Sequence, residues 1–401
     1  MAKAKFGILG FLAVFFIALV LRPPVASMGP LLNEIQTSLQ INSSLIGILA
    51  AAPVLCFGLG AFASPWLVSK VGLNHGMLVV LLVLFSASAL RMVFGYAGLL
   101  VGTIGAGLSI AVANVLLPTI VRLKFPKHVA LVTGGYTTVL AISASLAAAV
   151  AVPSSSTLGG WSPALAIWLV PTILAIVLWL PQTRGLEPHV AQPAHTAAAE
   201  KQAVLRSPIS WAIVAFFGLQ SLGFYALLNW MPSALVSIGV SPVAAGNYLG
   251  FASAIGIPTS LVIAAVLGRF KSLAWWSAGT SLLTLLGNMT LATVLFTRDT
   301  SLLVVACLLI GLGMSATFPI SLSLISTRAS TSAQTTQLSA MSQGWGYLLA
   351  AAGTFLLGYI ASIFLGWGPS FTLLSFLTLI QVLVGGYVGR PGLIPASIPV
   401  K

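Results

Sequence analysis

Leu21-Arg22-Pro23-Pro24-Val25-Ala26-Ser27-Met28-Gly29-Pro30 lies inside a long apolar run, 6–32, that holds no charge other than Arg22. A guanidinium at the centre of a membrane-spanning helix costs about 2.5–3.5 kcal/mol on insertion scales, so it is seldom left facing lipid. Two prolines follow it directly, and Gly29-Pro30 come soon after. Each proline removes a backbone donor and clashes with the carbonyl four residues back, so the helix is expected to kink here. Irregular backbone at that depth is tolerated where protein or a water-filled cavity receives it. The stretch predicts a broken spanning helix with Arg22 as the positive floor of a polar cavity.

The rest of the chain supplies the context that this reading needs. Of 401 residues, 58% are hydrophobic and only 5% are charged, which no soluble globular domain matches. Apolar runs of spanning length, about 20 residues each, recur throughout. They predict an all-α membrane protein with twelve transmembrane helices. Six fall at 6–32, 44–69, 76–94, 99–121, 129–152 and 163–181. Six more fall at 208–236, 242–267, 273–296, 302–326, 334–364 and 369–388. The expected organisation is an N-terminal six-helix bundle, 1–181, a cytoplasmic linker without a fold of its own, 182–207, and a C-terminal six-helix bundle, 208–401.

The net charge of +13 comes from basic residues concentrated in alternate loops. That is the signature of cytoplasmic loops, not of a nucleic-acid surface. The exceptions are Arg22 within the membrane, Arg91 at an outer helix end and Arg298 in an outer loop. Both termini are therefore expected on the cytoplasmic side of the inner membrane. Cys56 and Cys307 lie in apolar runs on different helices, so neither a disulfide framework nor a metal site is indicated. No cofactor is implied. The tryptophans Trp66, Trp161, Trp168, Trp179, Trp211 and Trp367 fall near helix ends, where headgroup anchors are expected.

The two halves echo each other. Pro23 and Pro232 lie 209 positions apart, Gly105 and Gly311 lie 206 apart, and Gly135 and Gly346 lie 211 apart. Three near-equal offsets in order suggest a duplicated six-helix unit. Parallel duplicated halves are the plan of major facilitator transporters, whose substrate lies near the midplane.

Named motifs take the resemblance further. Leu21-Arg22-Pro23 with Gly29-Pro30-Leu31-Leu32, Pro53-Val54 with Gly58, and Asn114 with Leu117-Pro118 carry it in the first half. The string from Phe217 to Tyr225, Trp230-Met231-Pro232, Gly311-Leu312-Gly313 with Phe318-Pro319, and Gln343-Gly344 carry it in the second. Over its whole length the chain resembles the cyanate and 2-nitroimidazole permease branch of the major facilitator superfamily. The resemblance implies two pseudo-symmetric six-helix bundles working by alternating access. In one loop the chain departs from the superfamily pattern: Ser69-Lys70-Val71-Gly72 has serine where the usual gating salt bridge takes its acid.

Arg22 leads the candidate substrate contacts. The four carboxylates fall at Glu34 near an outer helix end, Glu187 and Glu200 in the linker, and Asp299 in an outer loop. A guanidinium at midplane depth suits an anion held through two parallel hydrogen bonds. Helix packing is its other reading. Ala26, Gly29 and Asn33 share its helix face. Gln220, Ser221, Tyr225 and Asn229 form a polar stripe on one later helix, and Ser339, Gln343 and Tyr347 form another. Such stripes serve either hydrogen bonding between helices or cavity lining; the resemblance implies the pocket for Gln220 and Tyr225. Asn114, a buried amide, is a further candidate, with Tyr136 weaker, and the deep rings of Trp230 and Trp345 could wall a pocket.

A positive cavity lined otherwise by amides, hydroxyls and rings suits a small anionic or planar polar solute, cyanate-like or nitroimidazole-like. The expected function is a secondary transporter of that solute, with a drug or metabolite efflux carrier of the same fold as the alternative. Proline and glycine breaks in the first, fourth, seventh and tenth helices are expected to act as hinges. No intramembrane acid–base pair, metal cluster or nucleophile–base pair supports an enzyme. The expected partners are a small-molecule substrate and the lipid bilayer, with no nucleic acid, and the plan is compatible with a monomer.

Overall fold

The computed structural model describes residues 8–184, 194–267, 269–270 and 272–395. Lys3, Lys5, Glu187, Gly268, Lys271, Lys401 and the side chain of Asn33 lie outside the described residues. Among the described residues every regular element is a helix. Eleven helices among the described residues are long and apolar enough to cross a membrane, or twelve if Leu45–Ala61 and Ser64–Val71, bent by 53°, form one span.

The chain divides into two compact units: Met1–Pro126 with Gly135–Ala197, and Lys127–Gly134 with Ala198–Lys401. The first contains α1 (Ile8–Leu21), α2 (Pro23–Ala26), α3 (Leu32–Leu39), α4 (Ser43–Ala61), α5 (Ser64–Val71) and α6 (Leu73–Leu90). It continues with α7 (Gly95–Lys124), most of α8 (Val129–Leu158), α9 (Trp161–Ala166) and α10 (Leu169–Trp179). The division passes through α11 (Ala194–Arg206). The second unit then holds α12 (Pro208–Ser237), α13 (Pro242–Leu267), α14 (Ala274–Thr297), α15 (Leu303–Arg328), α16 (Ser332–Ile363) and α17 (Gly368–Val388).

Three expectations need correction. The linker is not without structure, because α11 covers its second half. Its alanine-rich sequence, AHTAAAEKQAVLR, has high helix propensity, and Val204 and Glu200 are buried. The expected breaks do not occur at Pro118, Pro232 and Pro319, since α7, α12 and α15 are continuous through them. A spanning helix absorbs an interior proline when a neighbour takes up the freed carbonyl. At Pro319 that carbonyl belongs to Ser315, and it accepts from Ser260 Oγ of α13 at 3.0 Å. Trp179, thirdly, is no headgroup anchor: it is fully buried, donates from Nε1 to the Asn74 carbonyl at 2.9 Å, and carries Lys124 Nζ 5.6 Å from its ring centroid.

Small residues set the helix crossings, as spanning helices require where lipid competes with apolar packing. In the first unit, Gly107 of α7 faces Cys56 of α4, and Gly105 faces Ala87 of α6. In the second, Gly311 of α15 faces α13 and Gly313 faces α14. Each long helix thus meets the two spans before it through glycines, though the residues 206 positions apart do not meet equivalent neighbours. Gly135 and Gly346 do: a side chain there would strike Phe15 of α1 and Phe217 of α12 respectively. A cluster of Met28, Leu31, Ile35, Leu49, Leu99 and Trp161 forms an apolar core around α3.

Candidate functional site

The break in the first span falls at Arg22, which separates α1 from α2. Pro23 and Pro24 have no N–H, so the carbonyls of Leu19 and Val20 lose their donors four residues on. The chain repairs itself locally. The Arg22 carbonyl accepts from Val25 N at 3.1 Å and from Ala26 N at 3.0 Å. The Pro23 carbonyl accepts from Ser27 N at 3.0 Å and from Ser27 Oγ at 2.7 Å. Met28 N then reaches back only three residues, to Val25 at 3.3 Å. The Pro24 carbonyl is skipped, and a side chain from another helix takes it: Nη1 of Arg91 donates to it. Arg22 itself is half-buried.

Arg91 sits at the helix end where the sequence put it, but sequence reasoning missed its burial. It does cap the C-terminus of α6, as a charge at a helix end should, yet it is only 2% exposed. Its stem runs against Gly102 of α7, where a methyl group would come within 2.8 Å of Arg91 Cγ. The available signal was a charge beside a helix rich in glycine, the kind of neighbour that lets a long side chain turn inward.

The described carboxylates lie elsewhere. Glu34 accepts from Ser155 Oγ through both oxygens at 2.6 Å. Asp299 caps a turn by accepting from Ser301 N at 3.0 Å, which holds its carboxyl below the usual range. Glu200 is buried on α11.

Asn114 of α7 and Tyr136 of α8 are both buried in the first unit. In the second unit the crossing of α12 and α16 gathers most of the two predicted stripes. Gln220, Ser221 and Tyr225 of α12 and Ser339, Gln343 and Tyr347 of α16 are all buried. Gln343 Nε2 donates to Ser339 Oγ at 2.9 Å. The Tyr347 ring stands edge-on to Phe217, with centroids 5.3 Å apart, and 6.3 Å from Tyr225. Asn229 and Trp345 stand apart from this group, on exposed faces of their helices, with Trp345 49% exposed. Trp230 packs on Trp367 at 5.1 Å and donates to the Thr354 carbonyl at 2.8 Å. Asn288 of α14 donates to Thr378 of α17 at 3.1 Å, a hydrogen bond between helices.

The comparisons agree with this architecture. The chain is 31% identical over 94% of its length to the uncharacterised transporter YycB of Bacillus subtilis (strain 168), covering 92% of that protein. It is 30% identical to the 2-nitroimidazole transporter of Escherichia coli (strain K12), covering 94% of each chain. The cyanate transport protein CynX of the same organism is 25% identical, over 88% of this chain and 90% of that one. Among solved structures, the proton:xylose symporter XylE superposes with a TM-score of 0.80 at 13% identity, over 99% of this chain and 98% of that one, a likeness of fold. Residues 6–354 match the Major Facilitator Superfamily, and the chain is a membrane-embedded transporter belonging to that family.

Proposed function

We propose that this transporter moves a small anionic or planar polar solute, cyanate-like or nitroimidazole-like, across the inner membrane by alternating access. The observation that carries the reading is the placement of Arg22 at a proline break in the middle of an apolar span. Keeping a guanidinium there is costly, and a solute that offers oxygen or nitrogen lone pairs offsets the cost when it binds. The names of two relatives, a 2-nitroimidazole transporter and a cyanate transport protein, support this chemistry.

In this reading the candidate solute contacts are Arg22, Asn114, Tyr136, Gln220, Tyr225 and Gln343, with Asn229 and Trp345 as candidates on exposed helix faces. The carrier is organised as bundles 1–181 and 208–401 joined by 182–207, with both termini cytoplasmic. Drug or metabolite efflux is the rival, and a cationic floor disfavours organic cations. Counterflow in proteoliposomes separates the two. Internal cyanate or 2-nitroimidazole is expected to accelerate exchange, and a lipophilic cation is not. Acceleration by the cation alone would favour efflux.

A further inference from the structure

Arg91 is chemically incomplete as it stands. A guanidinium is always charged at neutral pH and offers five N–H donors in a fixed fork. Here Nη1 donates to the Pro24 carbonyl, while Nε and Nη2 are buried without a hydrogen-bond partner among the described residues. Arg328, the comparable buried arginine of the second unit, is fully served: its Nε, Nη1 and Nη2 reach the carbonyls of Val388, Gly392 and Gly389 at 3.2, 3.4 and 3.0 Å. The fold can therefore satisfy a buried guanidinium with backbone alone, and at Arg91 it does not. Each buried donor without a partner is a penalty that native structures seldom carry without a reason.

We propose that Arg91 is the second cationic contact of the Arg22 site, and that its Nε/Nη2 edge takes a planar group bearing two oxygens, such as a carboxylate, nitrite or a nitro group. The N–H bonds of Nε and of the outer Nη2 hydrogen run parallel, which is the geometry that two coplanar oxygens match. No carboxylate of the described residues is bonded there: Glu34, the unit's own, is held by Ser155. Gly102 confines the Arg91 stem, so the side chain stays with the break. Nη1 of Arg91 holds the Pro24 carbonyl, two residues beyond Arg22 in the chain, so Arg91 is anchored on the same proline break that carries Arg22. The inference rests on Arg22 being a substrate contact, and within that reading it favours the nitro-bearing, nitroimidazole-like solute over the cyanate-like one, which offers the fork a single oxygen.

The test uses the purified full chain in detergent, with sodium nitrite and sodium formate as probes and chloride as the single-point control. Nitrite and formate are expected to raise thermal stability saturably and chloride to do so far less. Arg91→Lys keeps the charge and loses the fork, so the nitrite Kd is expected to rise at least about tenfold. An unchanged Kd in that variant, or no preference for nitrite over chloride in the wild type, overturns the proposal. Arg22→Ala is run alongside: a variant that binds nitrite normally sinks the Arg22 reading, whatever Arg91→Lys shows. Should Arg91→Lys fail to fold, hydrogen exchange on the wild type decides. Peptides covering 22–28 and 88–95 are expected to slow with nitrite and not with chloride, and unchanged exchange overturns the proposal.

Discussion

Gly346→Ala is the substitution whose cost the structure defines best. A methyl group at 346 would lie 2.5 Å from Phe217 Cδ1, 3.2 Å from Cε1 and 3.3 Å from the Gly218 Cα. Carbon atoms prefer about 3.5–4.0 Å, so roughly 1 Å must be found by moving the ring or parting the helices. The ring has little freedom: Phe217 is fully buried, with Tyr347 at 5.3 Å and Phe318 at 6.2 Å between centroids. The helices are already at close approach, since a methyl at 218 would meet Leu349 at 2.9 Å and the Gly346 Cα at 3.1 Å. Overpacking of this kind costs about 1–3 kcal/mol.

The assay is equilibrium unfolding in mixed detergent micelles, followed by circular dichroism, on a double-mutant cycle with Phe217→Leu. Each single variant is expected to lose stability, the leucine by leaving space and the alanine by crowding. The double variant should recover at least about 1 kcal/mol relative to the sum, because the leucine vacates the volume that the methyl needs. Tyr347 and Gln343 lie on the same helix as the crowded glycine, so transport should fall along with stability. A Gly346→Ala protein within about 0.5 kcal/mol of wild type, or strict additivity in the cycle, would refute the packing argument.

Arg328→Ala removes the guanidinium donors to the carbonyls of Val388, Gly389 and Gly392, of which Gly389 still accepts from Leu273 N at 2.8 Å. It is expected to cost about 2–3 kcal/mol, the upper range for hydrogen bonds from a charged donor; wild-type resistance to proteolysis after residue 388 in the variant would contradict this. Asn42→Ala deletes the cap in which Asn42 Oδ1 accepts from Leu45 N at 2.9 Å. A loss of about 1 kcal/mol is expected in the same unfolding assay, with Asn42→Ser close to wild type. Ser155→Ala takes away the hydroxyl that both Glu34 oxygens accept from. A loss of about 1–3 kcal/mol is expected, and a smaller loss when Glu34→Gln is already present; equal losses in both backgrounds would show that the pair is not coupled.

The spans were legible because hydropathy over twenty residues is a local property of the chain, and so was the break at Arg22, where two prolines and a charge coincide. Prolines 118, 232 and 319 look alike in sequence, yet their helices hold. At Pro319 the freed carbonyl is taken up by Ser260 of a neighbouring helix, a contact that depends on packing and not on local sequence. Arg91 shows the same limit. Its place at a helix end was readable, but not that its guanidinium turns inward to a carbonyl 67 positions away in sequence. Trp179 was misplaced for a related reason, since an aromatic residue at a helix end serves a headgroup or a neighbouring helix equally well. In the second unit the two polar stripes could be read from spacing, and Gly346 is what lets them approach. The exposed faces of Asn229 and Trp345 could not be read, because both sides of a spanning helix are apolar enough to hide which one packs.

The central claim is that Arg22 recognises the solute, and uptake by proteoliposomes tests it most directly. Wild type, Arg22→Lys and Arg22→Ala are reconstituted at equal density and given labelled cyanate or 2-nitroimidazole, with size-exclusion profile and helical content checked for each. The expected result is uptake abolished in the alanine variant and impaired in the lysine variant, with both folded as the wild type is. Wild-type uptake by a folded Arg22→Ala protein would contradict it.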